Sequence, residues 1–163
     1  MTCKVTAARY HDISCGHRVV GHENKCALLH GHNYRVHFTC EGDLDSVGRV
    51  IDFAVIKERL CMWLENHWDH KFVAWEQDEV LSSIMRTLSY TTGELARRAY
   101  GSLLESVVWV PFNPTAENMA AYLLNTIGPA ELTGTNVTLL YVVVEETRKC
   151  SARAHALHER KGG

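Results

Sequence analysis

The sequence has no run of about 18 apolar residues, the length a helix needs to cross a bilayer, and no basic-then-apolar stretch after Met1. Neither a membrane span nor a secretory leader is expected, and the chain reads as cytoplasmic. It also lacks an excess of either charge: 17 Lys and Arg stand against 19 Asp and Glu, a formal net charge of -2. With no basic field for nucleic acid and no acidic tail, the expected partner is a small molecule or a second copy of the chain. No Cys-x-x-Cys occurs among Cys3, Cys15, Cys26, Cys40, Cys61 and Cys150. In a chain of this length without a leader, that speaks against a disulfide framework. Cys40 and Cys61 fall on apolar faces and read as small buried hydrophobes. What remains is 163 residues with 46% apolar content, enough for one soluble domain with a real core.

Histidine, by contrast, is concentrated. Residues 15–34 hold His17, His22, Cys26, His30 and His32, with almost no continuous apolar run. From Tyr34 onward, Tyr34, Val36, Phe38 and Cys40 alternate with polar residues as a half-buried strand does. His30 and His32 extend that alternation backwards, so both imidazoles point to one side, about 7 Å apart along the strand. Val5, Ala7 and Arg9, then Ile13 and Cys15, read as an earlier strand within residues 3–15. The loop 16–29 would return it antiparallel to the second and bring His17 to the pair. Three neutral imidazoles without a fourth protein ligand describe a catalytic zinc with one open position. Cys26 lies in the same polar loop, where a nearby positive charge favours the thiolate.

The rest of the chain reads in order. Asp52 is a helix N-cap, and Phe53, Ile56, Leu60, Trp63 and Leu64 follow at helical spacing. The helix runs out near Trp68, Asp69 and His70, which by themselves describe either an exposed helix end or a proton relay. Leu81, Ile84, Met85 and Leu88 suggest a short helix, and Thr92 could cap another containing Leu95, Ala96 and Ala99. Val107–Val110 is a short apolar run. Thr115 caps a helix that buries Met119, Ala120, Tyr122, Leu123 and Ile127 and ends at Gly128 and Pro129. Residues 136–144 form a β-branched strand closed by Glu145, Glu146 and Thr147, and residues 151–156 read as the last strand.

His17, then Gly21-His22, Cys26 and Leu29-His30-Gly31-His32, resembles the zinc and nucleophile region of the 6-pyruvoyltetrahydropterin synthase family, which includes the bacterial 6-carboxy-5,6,7,8-tetrahydropterin synthases. The cysteine stands four residues before the first histidine of the pair, as it does there. Asp69-His70, residues 113–118 (Asn-Pro-Thr-Ala-Glu-Asn) and Glu146-Thr147 stand where the family has matching pairs and a helix entry. The resemblance implies an α+β tunnelling fold: an antiparallel four-stranded sheet with helices on one face, in the order ββααββ. It implies sheets joined into a barrel around a pore, in a homohexamer built as a dimer of trimers. Residues 76–105 are longer than in compact members and read as a helical insertion.

The resemblance also assigns roles. Zinc would sit on His17, His30 and His32; Cys26 would transfer a proton with His70 as relay, oriented by Asp69; Glu146 would anchor a pterin, helped by Thr115, Ala116 and Glu117. One carboxylate accepting two adjacent N–H groups suits a pterin edge. Glu145 should alternate to the other face of its strand. The implied reaction converts 7,8-dihydroneopterin triphosphate to 6-carboxytetrahydropterin, releasing acetaldehyde and triphosphate on the route to queuosine. The alternatives are triphosphate elimination alone, as in a 6-pyruvoyltetrahydropterin synthase, a non-catalytic zinc or pterin-binding assembly protein, or a cyclohydrolase on the same fold. The chain departs from the family pattern at Ile13, where an aromatic is usual, and at Cys15, a second thiol near His17 that could compete with Cys26. Lys25, Arg18 and Lys71 are triphosphate candidates. His11, His37, His67, His155 and His158 read as ordinary histidines, and His22 as a supporting residue at most.

Overall fold

The structure, a computed structural model, describes residues 4–90 and 93–157. Cys3, the Thr92 cap and His158 lie outside these residues, as do the side chains of Leu95 and Ala96. Strand β1 (Thr6–His17) pairs antiparallel with β2 (His30–Gly42), in a register that sets His17 opposite His30 and Cys15 opposite His32. On the other side of β2, β5 (Val137–Thr147) pairs antiparallel and then turns into β6 (Cys150–His155). These four strands are the expected antiparallel set.

The sheet is larger than expected. β3 (Phe72–Trp75) lies parallel to β1, and β4 (Val107–Val110) parallel to β3, giving a six-stranded mixed sheet in the order β4-β3-β1-β2-β5-β6. Four-residue apolar runs are too short to show a period, which is why neither strand was expected. Parallel neighbours need a crossover of a dozen or more residues, and residues 76–105 supply it. That segment forms two helices, Glu79–Ser89 and Glu94–Glu105. Ala74, Leu81 and Met85 are buried there in a second small core, with Phe72, Leu88, Leu104 and Val107 packed against it.

The two long helices flank this crossover in the chain and cover one face of the sheet. The first, α1 (residues 53–67), starts with Asp52 accepting from Ala54 N at 2.8 Å, as its capping role predicts. A wide π turn at Lys57–Cys61 adds a residue to the expected period. Ile56, Leu60, Cys61 and Leu64 are buried, while Phe53, at the solvent end, is exposed. With α2 (Glu79–Ser89) and α3 (Glu94–Glu105) assigned to the crossover, the last helix is α4 (residues 116–131). Thr115 caps it by accepting from Asn118 N at 3.2 Å.

α4 does not stop at Gly128 and Pro129. A π turn at Leu123–Ile127 widens the helix just before them, and one further turn, Gly128–Glu131, follows. A side chain at Gly128 would collide with Leu139 of β5, so this glycine serves close packing on the sheet rather than termination. Met119, Ala120, Leu123 and Ile127 of α4 join Phe38, Val36, Val142 and Val144 of the strands in the main core. Burying each large aliphatic or aromatic side chain contributes about 1.5–3 kcal/mol.

Candidate metal centre

The β1–β2 register does for His17, His30 and His32 what the period of two predicts. One ring nitrogen from each lies within 4.8 Å of the corresponding atoms of the other two. His17 is 1% exposed, and its Nδ1–H donates to the Pro114 carbonyl at 2.7 Å. His30 Nδ1–H likewise donates to the Leu28 carbonyl at 2.7 Å. Both bonds fix the tautomer that leaves Nε2 with a free lone pair, the arrangement by which backbone carbonyls orient metal-ligating imidazoles. Burial pushes His17 below the usual histidine range, against the opposing pull of the Pro114 bond, and His30 and His32 add to the lowering. His32 is lowered too, by burial first. Neutral rings are the form that binds a cation, so the donor set fits a divalent metal.

Two oxygens close on this cluster. Glu146 Oε1 lies 3.5 Å from His17 Nε2 and 3.6 Å from His32 Nε2. The hydroxyl of Tyr34, fully buried, sits 3.0 Å from His17 Nε2 and 3.3 Å from Glu146 Oε1. Its single proton serves one acceptor at a time. Tyr34 continues the His30–His32 face of β2 by two residues, a signal present in the sequence but read there as core packing. Glu145 turns the other way, taking His37 Nε2 at 2.9 Å, as strand alternation predicts.

Cys26 sits half-buried on a single 3-10 turn, Lys25–Ala27, in the loop between β1 and β2. Val19 N donates to the Cys26 carbonyl at 2.8 Å. Cys15 is different. It is buried in the core, and burial, reinforced by Asp69, pushes its thiol up to about 12. Burial thus disfavours its thiolate, the nucleophilic form, and among the described residues the group of side chains that could share one ion is His17, His30 and His32, without Cys15. Cys40 and Cys61 are fully buried, as expected.

Asp69 and His70 pair as anticipated, with His70 Nδ1 2.6 Å from Asp69 Oδ2. Burial opposes ionisation of Asp69, but the Ser14 N–H bond and His70 hold its carboxyl below the usual range. His70 takes a left-handed backbone, φ 56°, sparsely populated for a residue with a side chain. Its imidazole is 83% exposed. Among the described residues no hydrogen bond or ion pair joins Asp69 or His70 to Cys26. Thr115, Ala116 and Glu117 open α4 directly after Pro114, the first two half-buried and Glu117 exposed.

Of the three triphosphate candidates, Lys25 is exposed beside Cys26. Arg18 Nε lies 3.0 Å from the buried Asp78 carboxylate, without the alignment of a hydrogen bond. Lys71 Nζ donates to the Glu105 carbonyl at 3.1 Å. The remaining described histidines are engaged elsewhere: His11 with Glu65 at 2.8 Å, His67 stacked on Trp63, His155 against Tyr141. His22 Nδ1 accepts from Asn24 N at 3.0 Å within its own loop.

Residues 6–156 match the family described as 6-pyruvoyl tetrahydropterin synthase. A Rickettsia typhi protein named 6-carboxy-5,6,7,8-tetrahydropterin synthase is 31% identical over 147 residues, 90% of this chain and 96% of the relative. A Haemophilus influenzae protein of the same name is 31% identical over 68% of this chain and 73% of its own. An uncharacterized protein of Wolinella succinogenes superposes with a TM-score of 0.81 at 24% identity, over 94% of this chain and 99% of that one. The Caenorhabditis elegans 6-pyruvoyl tetrahydropterin synthase superposes with a TM-score of 0.61 at 21% identity, over 94% and 96%. No helix among the described residues is long and apolar enough to cross a membrane. With its histidine cluster inside the matched region and its fold shared along almost its whole length, this chain belongs to the 6-pyruvoyl tetrahydropterin synthase family.

Proposed function

We propose that this protein is a zinc-dependent 6-carboxy-5,6,7,8-tetrahydropterin synthase, a lyase that turns 7,8-dihydroneopterin triphosphate and water into 6-carboxytetrahydropterin, acetaldehyde and triphosphate. The observation that carries the reading is the meeting of three imidazole nitrogens within 4.8 Å of one another, with the Glu146 carboxylate 3.5 Å from one and 3.6 Å from another. A cation site and a carboxylate fit for an amidine-like edge are thereby adjacent, as a pterin with a polyol side chain requires. Three nitrogen ligands with an open position suit zinc. Bound there, the ion would acidify the side-chain hydroxyls and steady the negative charge that develops beside them.

The chain's own residues do the rest. His17, His30 and His32 hold the cation, and Glu146 accepts the paired N–H donors of the pterin ring. Thr115, Ala116 and Glu117 border the ring from the start of α4. Cys26, as thiolate, removes a carbon-bound proton of the side chain. Asp69 fixes the tautomer of His70, whose other nitrogen passes protons on. Because His70 is exposed and lacks a bond to Cys26 in its own chain, the relay serves the thiol of a neighbouring copy. Copies joined edge to edge into a hexameric barrel bring the two together. The carboxy branch is favoured over the pyruvoyl branch by the short loop that carries Cys26, and by the names of the Rickettsia and Haemophilus relatives. The segment of residues 76–105 is read as part of the same single domain.

Product analysis by mass on dihydroneopterin triphosphate tests the assignment. Acetaldehyde in equal amount to triphosphate is expected. Triphosphate without acetaldehyde would assign the pyruvoyl branch, and intact substrate would leave only a binding role.

A further inference from the structure

We infer that Asn113 is a positioning residue that clamps the Cys26 loop against the metal centre. The inference rests on the proposed role of Cys26 in proton transfer. Residues 18–29 cross from β1 to β2 with a single short turn to order them. Across 93 positions of sequence, Asn113 Oδ1 accepts from Val20 N at 2.9 Å, and Asn113 Nδ2 donates to the Val20 carbonyl at 2.8 Å. One side-chain amide thus makes both bonds that a neighbouring strand would make to that residue. The residue before it, Val19, donates to the Cys26 carbonyl at 2.8 Å. Cys26 is thereby tied through two backbone steps to the Asn113 amide.

Asn113 is itself held. Its carbonyl accepts from Thr115 N at 2.7 Å and from Asn118 Nδ2 at 2.9 Å. The next residue, Pro114, has a fixed φ and offers the carbonyl that orients His17. A single turn at the entry to α4 therefore brackets two parts of the site, the metal ligand through a main-chain oxygen and the thiol loop through a side chain. That division makes the two separable: a change at Asn113 leaves the Pro114 carbonyl, and with it the metal, in place. A side-chain amide carries a donor and an acceptor side by side, the pair that the Val20 carbonyl and N–H require. Aspartate would keep the bond from Val20 N but turn a second acceptor toward the Val20 carbonyl, and alanine would make neither bond.

Asn113→Asp and Asn113→Ala test the clamp, with metal content, circular dichroism and the rate at which iodoacetamide alkylates Cys26, followed by peptide mass, as readouts. Both variants are expected to keep fold and metal, while Cys26 alkylation rises by about 5-fold or more as the loop opens. On dihydroneopterin triphosphate, kcat is expected to fall by roughly 10- to 100-fold with KM nearly unchanged, since small displacements of a reacting group have effects of this order. Folded, metal-loaded variants whose Cys26 reactivity and kcat match the wild type would overturn the clamp. So would loss of fold or metal in both, which would make Asn113 structural. The alkylation rate needs no substrate, so it reads the clamp even if the wild-type protein proved inert on this pterin, a result that would sink the functional reading alone.

Discussion

At the scale of single residues, the buried imidazoles tie metal binding to pH. In the metal-free chain, burial lowers His17 and His32 below the value they have when unfolded, about 6.5. The unfolded chain then binds more protons than the folded one once the pH drops toward and below 6.5, so folding stability falls with pH. Above that value both states carry neutral rings and the dependence vanishes. The metal-stripped protein should therefore melt at progressively lower temperature from about pH 7 to pH 5.5. His17→Gln, which removes the more buried ring, should flatten that slope. A metal-free melting temperature that does not change over this window would show that the rings are not held neutral. Adding zinc should also raise the melting temperature, since only the folded chain gathers all three ligands.

The same scale shows what a sequence discloses about a site. The histidine triad is legible because a strand has a period of two and the loop between β1 and β2 is short. Glu146 and Glu145 are told apart by the same alternation. Tyr34 is not legible as a site residue, because a tyrosine in an alternating strand is explained by burial, and only the fold shows its hydroxyl meeting His17 and Glu146. Asn113 is hidden differently. It stands before a Pro-Thr helix entry that capping accounts for, and its partner Val20 is 93 positions away.

At the scale of elements, the N-caps Asp52 and Thr115 follow from local chemistry, while the end of α4 and the π turns do not. The π turn at Lys57–Cys61 of α1 is one of these, since a fixed 3.6-residue period contains no such widening. β3 and β4 are also beyond local reading, since β3 meets β1 only after α1 has crossed the sheet, and β4 meets β3 only through the crossover of α2 and α3. An ion pair joins that crossover to the end of β1. Asp78 caps α2 by accepting from Leu81 N at 3.0 Å, and its other oxygen lies 3.0 Å from Nε of Arg18, the residue after His17. Asp78 is 1% exposed, so an unpartnered charge left behind would be costly. Asp78→Ala should lose about 1 kcal/mol from the cap and about 2 kcal/mol from the ion pair, below the usual buried-pair cost because Arg18 still reaches solvent. Asp78→Asn, which retains a capping oxygen, should lose only the second part. Urea unfolding of the two variants separates the contributions. Equal stability of both with the wild type would mean that the crossover and the β1 end are not energetically joined.

At the scale of the whole molecule, one chain holds every proposed catalytic group but does not bring them together. Glu146 reaches the histidine cluster, and Cys26 lies in the loop beside it. His70 instead projects into solvent at 83% exposure, locked on Asp69 at 2.6 Å. A carboxylate–imidazole pair whose ring, among the described residues, bonds to Asp69 alone fits the proposal of a site completed between copies. Cys26→Ala should keep its metal and lose turnover, and His70→Ala should do the same for a separate reason. If the relay acts across an interface, the two inactive chains should rescue each other. Co-expressed in equal amounts and assembled at random, they would form about a quarter of their sites from one chain's intact Cys26 and its neighbour's intact His70. Turnover in the purified mixed oligomer should then recover to roughly 25% of wild type, while the separately purified variants stay inactive. If Cys26 and His70 of one chain instead served the same site, every mixed oligomer would contain only broken pairs. A mixture as dead as its parents would place the relay within the chain and require His70 to swing inward on binding substrate.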